Sequence, residues 1–159
     1  MKLEFEEALN DCAIELTRIQ GSVMSDRFSS NNRFLISYAV VKASGTVERV
    51  VKQMLYEKIS NGATQEGKEF LTRVIVNASY NPSPGKIEQL LGQMNTTWAV
   101  AFKETVNSDD KAKLKSLVNL RNSFAHGDTI TVPIEDIIAY FEAGKNILSN
   151  LNNILYAEI

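Results

Sequence analysis

Residues 133–156 read PIEDIIAYFEAGKNILSNLNNILY, and their spacing decides the fold class. Ile134, Ile137, Ile138, Phe141, Ile147, Leu148, Leu151, Ile154 and Leu155 recur at intervals of three and four, which stacks them on one face of a helix. Strict alternation, the mark of a half-buried strand, is absent from this stretch. Pro133 stands at its start, where a proline's missing N–H costs least. The pattern predicts a helix from about Ile134 to Tyr156.

Working back from there, DDKAKLKSLVNLRNSFAHG (residues 109–127) has the same period, with Leu114, Leu117, Val118, Leu120 and Phe124 as its apolar side. Asp109 or Ser108 is the expected N-cap, and Gly127 sits where a left-handed glycine ends a helix. PGKIEQLLGQM and TTWAVAFKETV read as two short helices or as one bent helix broken near Asn95. TQEGKEFLTRVIVNASY is helical in pattern, and NPSP (residues 81–84) ends it. NNRFLISYAVVKASGTVERVVKQMLYEKIS reads as one long helix or a kinked pair, with Ser44-Gly45-Thr46 as the kink or close-packing point. Residues from about Leu3 to Gly21 form one more helix, and GSVMSDRFSSNNR (residues 21–33) either continues it or loops. DTITVP (residues 128–133) is extended in character but too short to be more than a connector. The expectation is an all-α bundle of five to seven helices in one domain spanning residues 1–159, with an N-terminal helix over about 1–30 and a core over about 31–159.

Composition narrows the function classes. Hydrophobic residues make up 44%, enough for a core and too many for a disordered chain. Cys12 is the one cysteine, so no internal disulfide can form, and a reducing compartment is expected. No Cys/His/carboxylate spacing suggests a zinc site, and no metal or cofactor is expected. MKLEFEEALNDC carries carboxylates where a secretory signal needs an apolar run, and FLISYAVV is too short to span a bilayer. A cytoplasmic chain without membrane contact is expected. The net charge is −2, so there is no global basic field to hold nucleic acid by counterion release. That argues against a stoichiometric DNA-binding protein and leaves room for an enzyme that meets RNA transiently.

The single histidine lies in RNSFAHG (residues 121–127), five positions after Arg121. Histidine gains and loses protons near neutral pH, and the planar arginine fork fits phosphate oxygens. Metal-free RNA cleavage needs a base for the 2′-hydroxyl, an acid for the leaving 5′-oxygen and a cation for the extra negative charge. Arg121, His126 and an orienting amide from Asn122 form a minimal set for it, and DNA, lacking the 2′-hydroxyl, would be spared. Positions 121 and 126 stand about 140° apart around an ideal helix, so they do not share a face. One histidine cannot be base and acid in the same step. A two-fold dimer would bring two histidines and two arginines to one cleft, so a homodimer is expected.

LRNSFAHG resembles the R-x4-6-H motif of the HEPN superfamily, in which Asn, His or Asp commonly follows the arginine. SGTVERVV, NPSPGKIEQLLGQM, TTWAVAF and LKSLVNLRNSFAHG, followed by an amphipathic helix, are similar in order to prokaryotic HEPN families of the RiboL-PSP type, from about Phe34 onward. The resemblance implies a compact helical bundle that dimerises and, in active members, a composite metal-independent endoribonuclease site. It further implies a place in toxin–antitoxin pairs or phage defence, with an antitoxin or other protein as partner. By position in the motif it implies Arg121 as the phosphate-stabilising residue, His126 as the general acid/base and Asn122 as the positioning residue, with Glu48 as an auxiliary acid. It also implies an alternative: a HEPN module that binds nucleotide, RNA or protein without cutting.

Plainer roles exist for the same residues. A cation at a helix C-terminus is favoured by the dipole, which would account for His126 alone. Arg121 and Glu48 suit surface ion pairs, and Asn122 suits a backbone bond. DDKAKLK reads as a solvated face. Trp98 and Phe102, four apart, suit core packing better than base stacking, and Cys12 suits a buried position as a small hydrophobe.

Overall fold

A computed structural model describes residues 1–79 and 81–156. Among them lie seven α-helices and no strand. They are α1 (Leu3–Ser25), α2 (Asn32–Ser60), α3 (Gln65–Leu71), α4 (Pro84–Met94), α5 (Thr96–Thr105), α6 (Ser108–Ala125) and α7 (Ile134–Tyr156). A π-helical turn, Thr72–Val76, continues α3. The all-α expectation holds, and the last helix has the bounds that its apolar spacing predicts.

Helix α2 is the spine. It packs against α1, α6, α7 and the π turn, while α7 also lies along α6 and α1. Phe5, Leu9, Cys12, Leu16 and Ile19 form the inward stripe of α1, and Phe141, Ile147, Leu148, Leu151 and Leu155 that of α7. The α2 face turned to them is built of small and β-branched side chains, Ala39, Val40, Ala43, Val47 and Val50, all fully buried. Small residues there let α7 come close. A Cβ built on Gly144 of α7 would lie 2.9 Å from Val47 Cγ2, so this glycine is required by contact between helices.

Three local expectations are corrected. Helix α2 runs unbroken through Ser44-Gly45-Thr46. Gly45 faces solvent, and a Cβ added to it would meet nothing within 4 Å. The close approach sits at Gly144 instead, because Ala43, Ser44 and Val47 turn inward and residue 45 turns out. The N-cap of α6 is Asn107, whose Oδ1 accepts from Asp109 N–H at 2.8 Å. Ser108 and Asp109 are thereby left inside the first turn, where Asp109 and Asp110 meet the positive end of the dipole. Phe124 is 42% exposed and does not join the core, and Leu120 is only half-buried.

Other boundaries follow from caps. Asn95 ends α4 and begins α5, its side chain accepting from Thr97 N–H, so the two are separate helices. Ser83 caps α4 with Pro84 at its first position. The helical pattern of residues 64–80 stops at Val76, short of its predicted end, and Tyr80 lies outside the described residues. Residues 128–133 form a connector whose Ile130 is buried.

Candidate functional site at the end of helix α6

Helix α6 closes with a Schellman arrangement. Asp128 N–H donates to Ser123 O and Gly127 N–H to Phe124 O, both at 3.0 Å. Gly127 has φ +93°, the left-handed region that glycine enters without steric cost. His126 is the C-cap, with φ −90° and ψ 3°. Its N–H is shared between Asn122 O and Ser123 O at 3.1 Å each, which fixes the backbone under an exposed imidazole. The glycine therefore directs the chain away at the point where the ring is displayed.

Arg121 and Asn122 lie in the preceding turn and are half-buried. Asn122 Oδ1 accepts a hydrogen bond from Asn81 Nδ2. That bond leaves the Asn122 amide N–H groups to donate elsewhere. Among the described residues, neither the Arg121 guanidinium nor the His126 ring has a hydrogen-bond or ion-pair partner. The structure does not join the two to each other within one chain, as the angular separation predicts.

Glu48 is engaged elsewhere. Lys52 Nζ donates to Glu48 Oε1 and to Ala78 O, each at 2.6 Å, and Lys52 is buried. A buried ammonium needs such partners, so this pair is a fixed element of the fold. Through it α2 holds Ala78 O, and α6 separately holds Asn81 through Asn122. Beside it, Gly45, Glu48, Arg49, Lys52, Gln53 and Val76 line an open cavity of about 490 Å³.

Asn81, Lys52 and Arg49 were not singled out in the sequence. The Asn-Pro pair at 81–82 signals a turn, and nothing in its spacing says that Asn81 reaches a residue 41 positions away. No group of three or more His, Cys, Asp or Glu among the described residues is placed to hold a metal ion. No described helix is long and apolar enough to cross a membrane.

Trp98 and Phe102 divide between two roles. Phe102 is fully buried, while Trp98 is half-buried at the edge of a separate cavity. Cys12 is fully buried, and burial raises its thiol pKa, with Thr46 and Lys42 opposing the shift.

The family model described as RiboL-PSP-HEPN matches residues 6–157. The match takes in α1 as well as the segments from Phe34 onward, consistent with the five α1 side chains buried in the core. No curated protein and no solved structure matches the chain. By this match over nearly its whole length, the chain belongs to the RiboL-PSP-HEPN family.

Proposed function

We propose that this chain is a metal-independent endoribonuclease whose site is shared between two copies. The observation that carries the reading is the state of α6's last turns. Arg121 and His126 reach solvent without a partner among the described residues, while Asn122 between them is held by Asn81. An unpaired guanidinium and an unpaired imidazole are what a phosphate and its proton transfers require. The exposed ring of Phe124 lies in the same segment and offers apolar surface for a second copy.

In this mechanism His126 of one protomer takes the proton of the RNA 2′-hydroxyl as its oxygen attacks the adjacent phosphorus. The bond from phosphorus to the 5′-oxygen breaks, and that oxygen leaves with a proton from His126 of the other protomer. Products are a 2′,3′-cyclic phosphate and a 5′-hydroxyl. The Arg121 guanidinium binds the non-bridging oxygens, where negative charge grows. The Asn122 amide, fixed through its oxygen, donates an N–H that orients the phosphate. Glu48 acts only through Lys52, by helping to fix Ala78 on α2. The physiological role of such an activity is that of a toxin or a phage-defence effector in the cytoplasm, restrained by an antitoxin or other protein.

A second reading is a HEPN module that binds RNA, nucleotide or protein without cutting. The engagement of Glu48 with Lys52, away from Arg121 and His126, favours it. Incubating the purified protein with RNA in EDTA separates the two. Wild type is expected to leave cyclic-phosphate ends. His126→Ala is expected to be slower by about 10²–10⁴-fold and Arg121→Ala by about 10²–10³-fold, with helicity and size unchanged. Equal cleavage by all three, or none by wild type over structured and single-stranded RNAs, removes the enzyme and leaves the binding module.

A further inference from the structure

A mainly apolar cavity is lined by residues between Lys58 and Trp98 and contains none of the α6 motif. It measures about 630 Å³, within the range that holds small ligands. Phe70 and Val74, one helical turn apart, stand on one side, and Leu90, Met94 and Trp98 on the other. Phe70 is 63% and Val74 43% exposed, so two large apolar side chains here remain partly open to solvent. The π turn shapes this wall. Asn77 N–H reaches back five residues to Thr72 O at 2.9 Å, Ile75 turns into the core, and Val74 is left facing out.

The polar groups at the cavity are few. Asn95 Oδ1 is committed to capping α5. Lys58 is the one cation among the lining residues. Its ammonium lies 5.9 Å from the centre of the Trp98 ring and 5.1 Å from that of Tyr156. Two aromatic faces hold it in place, and among the described residues no carboxylate pairs with it. Its neighbour Glu57 is taken by Lys2 at 2.5 Å. On its far side Lys58 opens onto a polar recess that also holds Lys68. A cation set on aromatic faces, with no carboxylate partner among the described residues and lining an apolar cavity, is complementary to a molecule with an apolar body and one anionic end.

We propose that this cavity binds a small amphipathic anion, its apolar body between Phe70, Val74, Met94 and Trp98 and its anionic head on the Lys58 ammonium. The site goes beyond the ribonuclease reading and does not depend on it, since Arg121 and His126 take no part.

Trp98 is the only tryptophan, so its native fluorescence reports on the cavity directly. The probes are decanoate, decanol and adenosine monophosphate, added to the full chain below micellar concentrations. Decanoate is expected to change the emission saturably, and decanol to bind at least about tenfold more weakly because it lacks the charge. Lys58→Met is expected to erase that preference while leaving the helical circular dichroism unchanged, and Phe70→Ala to weaken both probes. Decanol binding as well as decanoate overturns the assignment. So does an unchanged preference in Lys58→Met, the absence of saturation by decanoate, or saturation by adenosine monophosphate alone.

Discussion

His126 is displayed by the residue that follows it. Only a residue at ease with positive φ closes α6 this way, and Gly127 supplies it. The histidine and the glycine are both visible in RNSFAHG, so the helix end was legible before any fold was known. The partner of Asn122 was not. Asn81 lies 41 positions before Asn122, and such a contact has no sequence period. Asn81→Ala is expected to cost about 1 kcal/mol of stability, the usual net worth of a half-buried hydrogen bond. It is also expected to slow RNA cleavage more than it weakens RNA binding, because it frees a positioning amide and touches no phosphate. Urea unfolding measures the first effect, and separate kcat and KM values the second. A loss confined to stability would reduce Asn81 to a structural role.

At the scale of elements, apolar spacing located the long helices, because burial of a stripe is what stabilises α1, α2 and α7, whereas α3 buries no residue and α5 only Phe102. Details that depend on neighbours stayed hidden. The π turn keeps a helical pattern while widening it, and the choice of Asn107 over Ser108 as cap rests on one side-chain geometry. The two glycines of the α2–α7 pair make the point measurable. Gly45→Ala adds a methyl group to open space in a helix interior and is expected to stabilise by about 0.5–1 kcal/mol. Gly144→Ala drives a methyl group into the stiff Val47 side chain and is expected to destabilise by about 1–3 kcal/mol, as overpacking does. Thermal or urea unfolding of the two single variants checks both signs. A third test concerns the α1–α2 seam. Lys42 Nζ lies 2.6 Å from Glu15, and Tyr38 donates to the same carboxylate. The Lys42 bond first, then Tyr38, lowers the Glu15 pKa, while the same bond to Glu15 raises that of Lys42. A depressed carboxylate contributes stability above its unfolded pKa and loses it as pH falls through its folded one. A raised lysine contributes below its unfolded pKa and loses it as pH rises through its folded one. Glu15→Gln is therefore expected to be less stable than wild type across neutral pH, with the gap closing as pH falls below the ordinary carboxylate range. A gap that stays constant into acid would show that the seam rests on packing alone. Both groups are partly exposed, so solvent screens the pair and the gap at neutral pH is small.

The molecule as a whole carries a net charge of −2 and belongs to a family recognised over residues 6–157. The proposed reaction needs an acid and a base, and the chain holds one histidine, about 140° around α6 from its arginine, so a cleft shared by two copies supplies what one lacks. The measurement that tests this most directly mixes wild-type and His126→Ala chains, lets the subunits exchange, and follows cleavage of one RNA. If the cleft needs both histidines, only wild-type dimers are active, and an equal mixture keeps about a quarter of the wild-type rate. If each chain works alone, the mixture keeps about a half. The first result is predicted. The second, or a wild-type protein that stays monomeric while cutting RNA, would contradict the shared site.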